Sequence, residues 1–176
     1  MKNKILFIVF ICFLLVSFSV SSNLNAQNTF NRDSIILAAK ELINETHYCA
    51  LVTVDSTGQP QVRTMNPFPA NDELIIWFGT SRYSRKVKEI MDNPKVSVYF
   101  ANHDSATGYV NITGTAVIID DKELLFKMKR GYWESIPDWQ SNFVLIKIIP
   151  KTIEVINYKH RLFNDPKSFK APTIVF

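Results

Sequence analysis

The chain has 176 residues, 47% of them hydrophobic, with 20 Lys and Arg against 16 Asp and Glu and a net charge of +4. Lys2 and Lys4 supply half of that excess, so the remainder is close to neutral, which argues against nucleic-acid binding driven by charge. The two cysteines, Cys12 and Cys49, and the dispersed histidines, His47, His103 and His160, offer neither a disulfide framework nor metal-ligand spacing.

Residues 1–26 have the layout of a secretory signal peptide. Lys2 and Lys4 precede an apolar run from Ile5 to Val20, and a polar stretch leads to Ala26, after which cleavage is expected. The apolar run is close to spanning length, so an uncleaved segment would anchor the chain in a membrane. There is no twin-arginine pair, so the expected route is export of the unfolded chain to the periplasm or the extracellular space. No stable membrane insertion is expected after cleavage. Residues 27–176 then form a single domain of about 150 residues, long enough to bury one core. Cys12 leaves with the signal, and Cys49 remains as a lone thiol, read as a small buried residue of a strand.

Asn31 to Thr46 has helical periodicity, with Asp33 as the expected N-cap and Ile35, Ala39, Leu42 and Thr46 on one face. Tyr48 to Asp55 and Gln61 to Asn66 read as strands joined by the turn Asp55-Ser56-Thr57-Gly58. Pro67 to Asp72 breaks the pattern, and Glu73 to Phe78 is a third strand. A helix is predicted from Ser84 to Asp92, with Tyr83, Val87, Ile90 and Met91 at helical spacing and Asn93-Pro94 as its stop. Strands follow at Lys95 to Ala101 and Tyr109 to Ile119, the second with an interior Gly114 that signals a bulge or a sharp bend. A short helix from Asp121 to Lys129 is capped by Asp120 or Asp121. Phe143 to Ile149 and Thr152 to Tyr158 read as two strands joined tightly at Pro150-Lys151. Six to seven strands in hairpin-like order with about three helices predict a mainly β (α+β) fold, an antiparallel sheet closing into a small barrel. Parallel winding is disfavoured because too few strands are separated by helices.

The stretch Phe78 to Pro94 carries the chemistry. A strand ends in the hydroxyl-rich turn Gly79-Thr80-Ser81, and a helix follows with Ser84, Arg85 and Lys86 at its start. Unpaired N–H groups and the positive dipole end favour an anion there. Arg85 and Lys86 add full charge, and Arg63 on a neighbouring strand can converge on the same point.

The segment Gly79-Thr80-x-x-x-Ser84-Arg85-Lys86-x-x-x-Ile90-x-x-Asn93-Pro94 resembles the flavin-phosphate motif of the pyridoxamine 5′-phosphate oxidase-like family. The upstream strand Gln61-Val62-Arg63-Thr64-Met65, the strand Val96-Ser97-Val98-Tyr99-Phe100 and the strand Tyr109 to Ala116 follow the same family order, and the short C-terminus resembles the general-stress-protein branch. The resemblance covers residues 33 to 160. It implies a split antiparallel Greek-key β-barrel that forms a homodimer, with FMN in a groove between the subunits. It also implies that Arg63, Arg85 and Lys86 hold the phosphate, that Gly79, Thr80 and Ser84 lie along the phosphate and ribityl chain, that the backbone of Thr64 and Met65 borders the isoalloxazine ring, and that Tyr109 lines the site. The vitamin-converting oxidases carry a lysine at the end of the Arg63 strand, where this chain has Asn66-Pro67-Phe68, and basic residues in a C-terminal segment that is missing here. Oxidation of pyridoxamine 5′-phosphate is therefore not expected.

Two functions follow. One is an FMN-dependent oxidoreductase or flavin reductase acting on a small molecule, in which the flavin carries the redox chemistry. The alternative is a non-catalytic binding protein that uses the same groove for haem, flavin or another ligand, with His160 as the candidate haem ligand and no other metal site. Trp133 and Trp139 read as caps of the barrel core or of a dimer interface, with a ligand wall as the alternative.

Overall fold

Helix α1 (Arg32–Glu45) starts at Asn31, whose side chain accepts the Asp33 N–H at 3.2 Å. The cap is thus Asn31, two residues earlier than expected, and Asp33 instead places its charge in the first turn, where the helix dipole favours it. The computed structural model describes residues 30–176; the expected signal segment lies outside the described residues. No helix among the described residues is long and apolar enough to cross a membrane.

Strands β1 (Cys49–Val54) and β2 (Pro60–Met65) form the expected hairpin, closed by Asp55, whose carboxylate accepts the N–H groups of Thr57 and Gln59. Strand β3 (Ile76–Ser81) begins three residues later than the apolar run suggested. Asn71 causes the delay. Its backbone carbonyl accepts the Leu74 N–H, its side-chain oxygen accepts the Ile75 N–H, and Leu74 is turned to φ 58°. Helix α2 (Arg85–Asp92) follows, then β4 (Lys95–Ala101), β5 (Gly108–Ile119), α3 (Lys122–Lys127), a 3-10 turn (Gly131–Ser135), α4 (Trp139–Asn142), β6 (Phe143–Asn157) and β7 (Thr173–Val175). On α2 the buried residues are Val87, Glu89 and Ile90. Tyr83 and Met91, expected on the same face, are 80% and 73% exposed.

The strands form one antiparallel sheet in the order β2-β1-β4-β5-β6-β3, with β7 added along the second half of β6. The single strand β6 replaces the two strands expected around Pro150. It survives the proline because β6 itself bulges there: Thr113 and Gly114 of β5 pair with Thr152 and Pro150, which leaves Lys151 as the extra residue and sets Gly114 against Pro150. A Cβ on Gly114 would lie 2.3 Å from the Ile149 carbonyl oxygen, so only glycine permits this approach. Beyond β2, the Phe68 N–H donates to the Trp77 carbonyl at 2.9 Å, drawing the β2 edge toward the β3 edge and curling the sheet into a split barrel.

Register explains where the core lies. Directly paired residues share a face, and Arg63, Leu51, Val98, Ile112, Ile153 and Ile174 form one rung across β2, β1, β4, β5, β6 and β7. The five apolar members are buried, each contributing about 1.5–3 kcal/mol of burial. Arg63 is the sixth, a cation at the end of an inward-facing rung. A second core lies on the opposite face of β3 and β6, where Leu125, Trp133, Trp139 and Leu145 pack together.

Replacing Gly114 by Ala should lower stability by roughly 2 kcal/mol or more, read as a fall in the thermal midpoint. An unchanged midpoint would mean that the bulge tolerates a side chain.

Candidate functional site

Helix α2 packs against β1 and β5, and its side chains reach the two free sheet edges, β2 and β3. Lys86 and Glu89 are three residues apart and share a helix face. Lys86 Nζ donates to Thr80 Oγ1 of β3 at 3.0 Å, while Glu89 Oε2 accepts from Arg63 Nη2 of β2 at 2.8 Å. Thr53 of β1 completes the second contact: Arg63 Nη1 donates to its hydroxyl at 2.6 Å, and that hydroxyl donates to Glu89 Oε2. One helical turn thus bonds to both edges of the split.

This arrangement is a cradle for an anion. Burial and the neighbouring Arg63 cation hold the Lys86 ammonium below the ordinary lysine pKa, opposed in part by Glu89. Ser84 is the N-cap of α2, yet its side chain caps nothing, and its buried hydroxyl has no hydrogen-bond partner. An orphaned buried donor beside two cations at a helix start fits a phosphate, which supplies several acceptor oxygens.

The residues singled out in the sequence divide between two faces. Arg63, Thr80 and Lys86 belong to the hydrogen-bonded group completed by Thr53 and Glu89, and Ser84 stands at the N-cap of the same helix. Arg85 is exposed on the first turn of α2. Gly79 points to the opposite face of β3 from Thr80, and the vacancy left by its missing Cβ is filled by Trp133, whose Cζ2 would lie 2.1 Å from such a carbon. Its glycine character thus serves packing of the second core. Thr64 and Tyr109 lie on the outer face of the sheet, with Ala50, Tyr99 and Asn111. Tyr109 stacks on Tyr99 at 5.5 Å, and its phenol pKa is raised, chiefly by burial. The Met65 carbonyl faces Cys49 Sγ at 3.8 Å. Burial pushes the Cys49 thiol up to about 12, consistent with an inert core thiol. His160 sits after β6 with Nε2 against Glu41 of α1, and no contact joins it to the cradle.

Two open clefts flank the end of β2 and share Thr46 and His47. The smaller, about 500 Å3, includes Thr64, Tyr99 and His103. The larger, about 720 Å3, runs from Asn66 and Phe68 to Arg130 and Tyr132. Arg130 stacks on Phe68 at 4.4 Å and donates to Asn66 Oδ1 at 2.8 Å and to the Pro67 carbonyl. A cation therefore reaches the end of β2 from the segment after α3. Sequence reasoning missed Glu89, Thr53 and Arg130. Only Glu89 left a local trace, an acid next to Ile90 on the buried side of α2, three residues after Lys86. The pairing of Thr53 and the reach of Arg130 depend on chain separated by 36 and 64 residues.

The family model for pyridoxamine 5′-phosphate oxidase matches residues 37–157. The chain belongs to this family. It is 29% identical over 132 residues to general stress protein 26 of Bacillus subtilis (strain 168), spanning 72% of this chain and 91% of the relative. The crystal structure of general stress protein 26 from Bacillus anthracis str. Sterne is similar with a TM-score of 0.60 and 28% identity, covering 69% of this chain and 92% of that one. Two more distant solved structures share the fold. An FMN-binding, pyridoxamine 5′-phosphate oxidase-related protein from Nostoc punctiforme has a TM-score of 0.55 at 16% identity, covering 82% of this chain and 96% of its own. A heme-binding protein from Mycobacterium smegmatis has a TM-score of 0.60 at 13% identity, covering 83% and 60%. Solved structures that share this fold thus include a flavin binder and a heme binder.

If Gly79 serves Trp133, Gly79→Ala should displace the indole. The expected outcome is a red-shifted tryptophan emission and a loss of roughly 2–4 kcal/mol of stability. An unshifted emission spectrum with full stability would show that Trp133 does not need the glycine.

Proposed function

We propose that this protein is an FMN-binding oxidoreductase acting on a small molecule, with the flavin phosphate held in the α2 cradle. The observation that supports this reading is that one short helix carries the unpartnered Ser84 hydroxyl at its N-cap, Lys86 bonded to Thr80 in its first turn and Arg63 bonded to Glu89 one turn further on. Lys86 and Arg63 supply charge to the phosphate. Ser84 and the first-turn N–H groups of α2 supply neutral donors. Thr80 Oγ1, already accepting from Lys86, keeps its own proton free to donate. Arg85, on the exposed side of the helix, adds only a screened contribution.

Bound FMN would supply the electron or hydride chemistry, which needs no catalytic triad from the chain. The chain's own residues then orient and exclude. The β2 segment Thr64-Met65 borders the ring, and the clefts on either side of the end of β2 give a small molecule its approach. The outer face carrying Val62, Thr64, Tyr99 and Tyr109 offers the surface for a second copy, and a homodimer with the cofactor groove between subunits is part of the proposal. Export to the periplasm or beyond remains part of it as well, resting on the layout of residues 1–26. Haem binding through His160 is the less favoured use of the barrel, because the histidine is already held by Glu41.

Absorption spectra of the purified protein with added FMN and with haemin test the reading. Saturable flavin binding is expected, with Lys86→Ala weakening it roughly 10- to 100-fold, the value of a charge-assisted contact, and Arg85→Ala far less. A haem band that vanishes in His160→Ala, with no flavin binding, would overturn it. Affinity should also fall as pH rises through the depressed Lys86 pKa, because deprotonation removes the cation from an anion site. Lys86→Arg should carry that fall to higher pH, as a titration of FMN affinity against pH will show.

A further inference from the structure

Glu89 is the one carboxylate among the buried side chains of the described residues, 7% exposed, and it stands inside an anion cradle. Its contacts form a closed ring. Arg63 donates through Nη2 to Glu89 Oε2 and through Nη1 to Thr53 Oγ1, and Thr53 donates to the same Glu89 oxygen. The guanidinium edge between its two terminal nitrogens is therefore occupied, and its charge is balanced at 2.8 Å. Lys86 is different: it donates to Thr80, a neutral hydroxyl. An arriving phosphate meets two cations, Arg63 and Lys86, and one fixed negative charge, Glu89, which is paired with Arg63.

We propose that Glu89 is a specificity-determining residue, limiting the cradle to one net positive charge so that a phosphate-bearing ligand is held as an exchangeable rather than a permanently resident group. The identity of that ligand as FMN rests on the reading above; the effect on a phosphate does not. A purely structural carboxylate would also tie Arg63 to Thr53, but it makes the opposite prediction for a neutral isostere. Glutamine keeps an acceptor for Arg63 and Thr53, removes the repulsion on the ligand, and frees the Arg63 charge.

The test compares Glu89→Gln with the unaltered protein. Affinities for FMN and riboflavin are measured by flavin fluorescence. Affinity for inorganic phosphate is measured through the backbone amide resonances of Thr80, Ser84 and Lys86. The expected result is that Glu89→Gln binds both FMN and inorganic phosphate about tenfold more tightly, the effect of one nearby unit charge in a partly buried site. Riboflavin affinity stays unchanged, and FMN dissociates more slowly. If only inorganic phosphate responds and no flavin binds, the flavin reading fails while the role of Glu89 stands. Equal or weaker phosphate affinity in a folded Glu89→Gln protein overturns the proposal, as does the absence of phosphate binding in both proteins. Glu89→Met, similar in volume and uncharged, replaces the glutamine variant if that one does not fold. It should show the same gain, and failure to do so counts equally against the proposal.

Discussion

A split barrel leaves two sheet edges that must be held together, and here one turn of helix α2 does it. Lys86 reaches Thr80 on β3, and Glu89 reaches Arg63 on β2, from the same helix face. The pairing follows from a problem the sheet creates. Arg63 ends a rung whose other members are Leu51, Val98, Ile112, Ile153 and Ile174, all buried. A cation facing inward at that position is costly unless a carboxylate meets it, and breaking such a buried pair by removing one partner costs about 3–5 kcal/mol. Glu89 meets it, and Thr53 satisfies the remaining geometry.

The same contacts that join the edges also form the proposed site. The groups that hold the split together leave a hydroxyl without a partner at Ser84 and, at Lys86, an ammonium that bonds to a hydroxyl and feels Glu89 only through space. Stability and ligand capture therefore compete within one cluster. A phosphate would satisfy the orphaned donors, and in doing so it would share the Arg63 guanidinium with Glu89. Charge at this point cannot be changed without affecting both the seam of the barrel and the affinity of the cradle.

The second core isolates this site from the other side of β3. Trp133 occupies the space of the missing Gly79 side chain, and Trp139, Leu125 and Leu145 pack around it. The segment that brings Trp133 also brings Arg130 to Asn66 and Phe68. A stretch after α3 with little regular structure of its own thus buttresses β3 and shapes the larger cleft. Alternation along β3 separates the two roles: Thr80 faces the cradle, and Gly79 faces the tryptophan.

Much of this was legible in the chain. Period-two alternation and turn residues located β1, β2, β4 and β5, and Gly114 announced the irregularity that faces Pro150. Asn93-Pro94 marked the end of α2, and the order of motifs located the family. These are local properties, set by backbone sterics and by which side chains a turn or cap requires. Length of apolar run misled at β3, because Asn71 consumed three residues in a turn, and the proline misled at Pro150, because a bulge at Lys151 and a glycine on the facing strand let β6 continue. Short segments such as β7 and the 3-10 turn exist only through what they pack against. The residues proposed to contact an anion carry their charge or hydroxyl in the sequence itself, so Arg63, Thr80, Ser84 and Lys86 could be singled out there. Which of them converge, which face Gly79 and Tyr109 occupy, and that Glu89 balances Arg63 were decided by strand register and by the docking of α2, because a charge acts through distance in space and the sequence records only distance along the chain.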